Sequence, residues 1–264
     1  MALRITRQLL VHTTALRAER VRYHGLTRSP SAELDEPATQ IVVTLAGVFV
    51  YHVGRQRRFV DANRLAFVRA GESSRDSHPD EGDVDCLLFT PAAALVDGAR
   101  LPVTALASAR LQLWAARLGA ACPRDPLAAE EDALALLHQA LAAARDEAAP
   151  HPAAARRLAE RAKALLTPEG PPLSLPALAR RLAVSPAYLT DAFRRAEGLP
   201  LVRYQQRLRL ARALAELPRR DDLTALALDL GFSSHSHFST AFRATMGLTP
   251  SAYRRQARCL VARS

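Results

Sequence analysis

The side chains best suited to chemistry lie late in the chain. Residues 231–243 read Gly231-Phe232-Ser233-Ser234-His235-Ser236-His237-Phe238-Ser239-Thr240-Ala241-Phe242-Arg243. Phe238 and Phe242 are four apart and share the apolar face of a helix. Ser236, His237, Ser239, Thr240 and Arg243 fall off that line, and His235 stands at its start. Small hydroxyls, imidazoles and an arginine on an exposed face are what base edges and phosphates need. His235-x-His237 also has the look of a metal pair, but positions two apart on a helix diverge. Gly247 supplies a left-handed stop, and Thr249-Pro250 supplies a cap and first turn for another helix. An ordinary surface helix would show much of this, so the rest of the chain has to decide.

Charge does part of that work. The 264 residues carry a formal net charge of +10. Residues 151–264 hold 19 Arg plus Lys against 8 Asp plus Glu, while residues 1–150 hold 17 against 18. A basic half joined to a neutral one points to a polyanion as its partner. Cys86, Cys122 and Cys259 are too dispersed for a disulfide framework or a zinc-spaced pair, which fits a reducing compartment. The N-terminus lacks a signal-peptide core and no apolar run is long enough to span a membrane. A cytoplasmic protein with no membrane partner is expected.

The elements that must position these groups differ between the halves. Residues 1–100 read as short strands: Ile41–Leu45, Val48–Val53, Arg57–Val60, Arg64–Val68 and Val84–Phe89. Ala46-Gly47, Asp61-Ala62-Asn63 and Gly71-Glu72 read as turns between them. This spacing predicts a small sandwich or barrel. Residues 101–150 change to alanine and leucine at helical spacing, predicting helices over 104–120 and 126–147, with Asp125 capping the second. They would cover the barrel or pair with a second subunit. Ala149-Pro150-His151-Pro152 is the expected hinge. From 153 onward short helices follow one another: 153–167, 174–182, 185–198, 200–216, 223–230 and 250–261. The expected class is therefore α+β, a small N-terminal β-barrel with supporting helices followed by an all-α domain over 151–264.

A repeat runs through that domain. An offset of 49 maps Ala192-Phe193-Arg194 onto Ala241-Phe242-Arg243, Gly198-Leu199 onto Gly247-Leu248, Leu189 onto Phe238 and Tyr204 onto Tyr253. Each unit is a helix, a short turn and a second helix closed by glycine, which is helix-turn-helix construction twice over. The first-unit positions facing base edges would be Ala187, Tyr188, Thr190 and Asp191; in the second they would be His235, Ser236, His237, Ser239 and Thr240. Arg194, Arg195 and Arg243 come later on their helices and suit phosphate. Asp191 accepts only from a base amine and repels phosphate, so the first unit reads less clearly.

These residues carry a family resemblance. Gly231-Phe232, Ser236, Phe238, Phe242-Arg243, Gly247, Thr249-Pro250 and Tyr253-Arg254 fit the signature of the AraC/XylS family of transcriptional regulators almost throughout. The first unit fits at Leu178-Ala179, Ser185, Leu189, Phe193-Arg194, Gly198, Arg207-Leu208 and Ala211. Residues 153–258 thus resemble that family's DNA-binding domain. The resemblance implies two helix-turn-helix units on a rigid helix, reading adjacent major-groove segments of double-stranded DNA. It implies further partners: a small-molecule effector, RNA polymerase and a second copy of the chain.

Residues 19–100 resemble, on thinner motifs, the cupin-like sensor barrel common in such regulators. A cupin metalloenzyme is the alternative from another class, but its His-x-His pair is missing before residue 235. His24, His52, His78 and Cys86 remain the candidates for an effector or metal site if strand pairing gathers them. A barrel that only mediates assembly is the other alternative. No cofactor and no enzymatic activity are expected.

Overall fold

In the computed structural model, which describes residues 3–79, 81–120, 126–147, 153–166 and 173–262, the N-terminal part is two antiparallel sheets. The larger runs in the order β1 (Arg4–His12), β2 (Leu16–Leu26), β9 (Gly82–Pro91), β4 (Gln40–Ala46), β7 (Arg64–Val68), β10 (Thr104–Leu106). The smaller runs β3 (Leu34–Asp35), β8 (Ser73–Ser77), β5 (Phe49–Val53), β6 (Gln56–Val60). The chain changes sheet between β2 and β3, β3 and β4, β4 and β5, β6 and β7, β7 and β8, and β8 and β9, which closes the pair into a small barrel. Gly47 makes the β4–β5 crossing at φ +83°, where a Cβ would lie 2.2 Å from the Asp83 carbonyl oxygen. Both the conformation and the space exclude a side chain.

Strand alternation sorts the larger sheet's side chains into two cores. Ile41, Val43, Leu65, Phe67, Leu87 and Phe89 face α2 (Ala109–Ala120) and α3 (Pro126–Asp146), whose Leu111, Leu118, Leu136 and Leu137 are buried against them. On the other face Ala66, Val68 and Val84 meet Phe49, Tyr51, Val53 and Val60 of the smaller sheet, filling the space between the sheets. Asp76 lies opposite Tyr51 in the β5–β8 register and so shares that inner face. Its Oδ1 has no partner there. Burial, with Glu36 adding, pushes its carboxyl up to about 7.

Two expectations need correcting. Residues 104–106 form not helix but β10, paired with Arg64–Ala66 of β7. Edge pairing outweighs the helical propensity of Ala105 and Leu106, and the helix starts only after Ser108, whose Oγ accepts from the Leu111 N–H at 3.0 Å. The sequence reading also missed β1 and β2. Their inward apolar residues are interleaved with arginines, and these find carboxylates: Arg7 meets Glu19 and Arg20 and Arg22 meet Asp85 across the sheet, while Arg17 meets Glu19 along its own strand. The expected cap Asp125, the hinge 149–152 and Cys122 lie outside the described residues.

After α1 (Ala93–Val96), α2 and α3, the chain is helical: α4 (Ala153–Leu165), α5 (Leu175–Leu182), α6 (Pro186–Glu197), α7 (Leu201–Glu216), a 3-10 turn at Leu217–Arg219, α8 (Leu223–Asp229), α9 (His235–Met246) and α10 (Pro250–Ala262). Two cores hold them. One joins α4, α5, α6 and the start of α7 around Phe193 and Tyr204. The other joins the end of α7 to α8, α9 and α10 around Phe238 and Phe242, and takes in Leu113 of α2.

A buried polar joint ties this half to the barrel. Glu197 is 2% exposed, yet it accepts from Arg64 Nε at 2.9 Å and from Lys163 Nζ at 3.0 Å. Lys163, the chain's one lysine, also reaches Glu160 and the Phe59 carbonyl. Arg64 forks onto Glu147 as well. Burial disfavours the Glu197 charge, but Lys163 and Arg64 outweigh it and hold the carboxyl below its usual range. Beside them the β6–β7 loop, read from sequence as a plain turn, inserts into the helical half. The Tyr204 hydroxyl donates to Asp61 at 2.8 Å, and Asn63 Nδ2 donates to the Tyr204 carbonyl at 3.0 Å.

Glu197→Gln is expected to lower unfolding stability by about 3–5 kcal/mol in urea titration, because it leaves buried cations short of a counter-charge. Asp76 has the opposite sign. The unfolded chain releases that proton in the ordinary carboxylate range and the folded chain holds it to about pH 7, so its contribution falls as pH rises across that window. Asp76→Asn should therefore stabilise the protein at pH 8 and change little below pH 4, read as the difference in midpoint between variant and parent.

Candidate nucleic-acid interface

The repeat survives in the coordinates to the residue. α6 and α9 both begin and end 49 positions apart, as do the starts of α7 and α10. Their N-caps are Ser185 and Ser234, whose hydroxyls accept from the N–H of Tyr188 at 3.2 Å and of His237 at 3.1 Å. Both end on a left-handed glycine, Gly198 at φ +73° and Gly247 at φ +80°. Each is preceded by a short helix, α5 or α8, and a tight turn; Ala183 takes φ +58° in the first. The apolar sides are buried at equivalent places, Leu189 and Phe193 in one and Phe238 and Phe242 in the other.

The opposite sides are open. On α6, Ala187, Tyr188, Asp191, Arg194 and Arg195 are exposed and Thr190 is half-buried. Tyr188 is 47% exposed, so it does not pack into the core. The Thr190 hydroxyl donates to the Pro186 carbonyl at 2.9 Å, leaving it only acceptor capacity. Asp191 forms an i, i+4 ion pair with Arg195 at 2.7 Å. The acid that reads as an obstacle to DNA is thus neutralised on its own helix, and Arg195 is the residue that neutralises it.

On α9, Ser236, His237, Thr240 and Arg243 are exposed, and His235 and Ser239 are half-buried. The His237 ring packs edge-on against Phe232 at 5.4 Å, and its Nδ1 lies 3.0 Å from Ser233 Oγ. That fixes the imidazole and leaves Nε2 for a partner outside the protein. His235 Nε2 is 3.3 Å from Ser239 Oγ. The carbonyls of Arg194 and Arg243 accept from the closing Gly198 and Gly247 N–H, while their side chains make no hydrogen bond or ion pair among the described residues. The arginines of α7 differ: Arg207 donates to the Ala107 carbonyl, Arg209 to the Gly231 carbonyl, and Arg212 pairs with Glu216. Arg207 and Arg209 thus hold neighbouring segments to α7, while Arg212 braces its own helix.

The first-half candidates do not gather. Val21, Tyr23, Cys86 and Leu88 form one inner cluster, and strand parity puts His24 on the other face of β2, where it pairs with Asp83 at 2.8 Å. His52 falls on the outer face of β5, its Nε2 2.9 Å from Ser77 Oγ. The His78 ring packs over Gly82. The Cys86 Sγ points to the Val21 carbonyl, and burial pushes its thiol up, away from the thiolate a metal needs. Among the described residues no three His, Cys, Asp or Glu side chains are close enough to hold a metal.

Two capped helices at one repeat, each open on its polar side, on a strongly basic half, have the build of two helix-turn-helix units. Comparison with known proteins agrees: residues 178–256 match a family described as "Helix-turn-helix domain". The HTH-type transcriptional activator RhaS of Escherichia fergusonii is 39% identical over 79 residues, 30% of this chain and 28% of that protein. A solved transcriptional regulator from Chromobacterium violaceum, described by its AraC-type DNA-binding domain, is 29% identical, covering 40% of this chain and 96% of its own, with a TM-score of 0.37. For the barrel, a cupin superfamily protein of Desulfitobacterium hafniense covers 33% of this chain and 77% of its own at 13% identity and a TM-score of 0.29. The chain thus spans well under two thirds of the RhaS relative. Its C-terminal part is thus similar to helix-turn-helix domains of transcriptional regulators.

The Asp191–Arg195 pair gives a direct test. Asp191→Asn removes a negative charge and frees a guanidinium, so affinity for any duplex should rise and the salt slope should steepen by about 1, read by fluorescence anisotropy across ionic strengths. An unchanged slope would put this pair away from DNA.

Proposed function

We propose that the chain is a sequence-specific transcriptional regulator whose two recognition helices read neighbouring major-groove segments. The observation that carries this is the pair α6 and α9, alike in caps, ends and buried faces, with their polar faces open. In the first segment Ala187 meets a thymine methyl, Tyr188 and Thr190 add contacts of low base preference, and Asp191 selects a base amine when it turns from Arg195. In the second, His237 donates to guanine from a fixed ring, supported by His235, Ser236, Ser239 and Thr240. Arg194, Arg195 and Arg243 hold phosphates and set register.

Residues 1–100 act as the barrel, 101–150 as its helical support, and 151–264 as the DNA-binding part. The barrel half receives a small-molecule effector, and the joint around Glu197 and Asp61 conveys its state to α6 and α7. The protein works by binding rather than catalysis, in the cytoplasm, as a homodimer beside RNA polymerase on double-stranded DNA.

Selection from a random duplex pool with the full chain should enrich a site with two short conserved blocks about one helical turn, 10–10.5 base pairs, apart. Failure to enrich any sequence sinks the reading. On the selected site, His237→Asn should change base preference in one block. Arg243→Ala should weaken all sequences alike and lower the salt slope by about 1. An identical, sequence-blind loss in both variants would overturn the division of roles.

A further inference from the structure

A cavity of about 510 Å³ lies where the two halves meet, and its walls come from both. The helix-covered face of the larger sheet supplies Arg20, Arg22 and Asp85; α2 supplies Gln112, and the 3-10 turn and α10 supply Arg219 and Arg258. Four guanidinium groups thus face one carboxylate. Arg20 and Arg22 share Asp85 between them, so that corner keeps an excess positive charge. Arg258 is tied to Asp221, while Arg219 has no partner among the described residues. Between these cations the wall is apolar and made of small side chains, Ala116 and Ala120 on α2 and Ala211 and Ala215 on α7, with Leu214 behind them. The size is that of a small-molecule site, and small residues are what leave it open.

Gln112 decides what else the site asks for. It is 4% exposed. Its amide orientation is fixed by a chain of bonds that starts in the other half. The Tyr204 carbonyl can only accept, so Asn63 presents its Nδ2 to it at 3.0 Å. Asn63 Oδ1 is then the acceptor facing Gln112, whose Nε2 donates to it at 3.0 Å and also to the Ala62 carbonyl. The Gln112 Oε1 is left buried with no partner. A buried acceptor without a donor costs stability until one arrives, and this one belongs to a residue of the cavity wall.

We propose that this cavity binds a small organic acid bearing a carboxylate at one end and a hydroxyl or N–H donor at the other, across an apolar frame. The carboxylate meets the guanidinium groups and the donor completes Gln112 Oε1. The proposal rests on the reading of the chain as an effector-controlled regulator, and it moves the effector from the space between the sheets, which side chains fill, to the joint between the halves. An occupant there touches sheet, α2, α7 and α10 together, and through Gln112 and Asn63 it reaches the Tyr204 backbone of α7. Coupling between sites then needs no separate relay.

The test is calorimetric titration of the full chain, without DNA, using matched probes. 6-Hydroxyhexanoate and the rigid trans-4-hydroxycyclohexanecarboxylate carry both groups. Hexanoate and cyclohexanecarboxylate lack the donor, and 1,6-hexanediol and 1,4-cyclohexanediol lack the acid. At least one hydroxy acid should bind about tenfold or more tighter than both of its analogues, about 1.4 kcal/mol per tenfold step. Ala215→Phe should abolish binding by filling the space, and Arg22→Gln, a half-exposed site safe for folding, should weaken it about tenfold. The proposal is overturned if neither hydroxy acid binds at about 10 mM, if a diol binds as well as its acid, or if both variants bind like the parent. Because the titration contains no DNA, its failure leaves the duplex-selection result untouched. Binding without any selected DNA site would instead fault the regulator reading alone.

Discussion

Glu197 is the residue on which the two halves depend for their relation. It is the last residue of α6 and is shut away from water. A carboxylate there is doubly unfavourable, since it is desolvated and sits at the negative end of a helix dipole. Arg64 from the barrel and Lys163 from α4 offset both terms. Arg64 also donates to the Ala196 carbonyl at 3.3 Å, capping the helix end it neutralises. α6 is therefore held at its far end by a barrel strand, while its N-terminal turn stays open. The polar cost at this joint serves position: no apolar contact would fix the angle of α6 against β7 through so many directed bonds.

The two repeat units spend equivalent residues differently. Tyr204 and Tyr253 stand 49 apart, both buried, each against the phenylalanine of its own unit: Phe193 at 5.2 Å and Phe242 at 6.2 Å. Tyr253 turns its hydroxyl to the Leu214 carbonyl of α7. Tyr204 turns its own to Asp61 of the barrel. Burial pushes the Asp61 carboxyl up, and Lys163 and the Tyr204 hydroxyl pull against that. One unit is thus bonded through its tyrosine to the barrel half and the other to the connecting helix.

Much of the helical half was legible in the sequence. Ser185-Pro186 and Thr249-Pro250 mark helix starts, Gly198 and Gly247 mark stops, and the positions between are periodic, so α6 and α10 begin where local chemistry says they should. The barrel was legible only where apolar runs are short and bounded, as in β4, β5 and β7. β1 and β2 were not, because their arginines look unlike strand residues until Glu19 and Asp85 are seen beside them. Asp61-Ala62-Asn63 has turn composition, and nothing local says that the turn would be buried in another domain.

By itself, then, the sequence determined the class of the C-terminal part and the residues on its open faces, because capping, periodicity and an offset of 49 are local and repeated. Only the tertiary structure decided what those residues are free to do. It tied Asp191 to Arg195, locked His237 against Phe232, and spent Arg207 and Arg209 of α7 on neighbouring segments. It also separated His24, His52, His78 and Cys86, since strand parity places side chains on faces that spacing along the chain does not reveal. The joint at Glu197 and the cavity beside Gln112 belong to it entirely. The joint brings together residues 143 positions apart and the cavity is walled by residues from Arg20 to Arg258, and no pattern along one strand or helix can show that they meet.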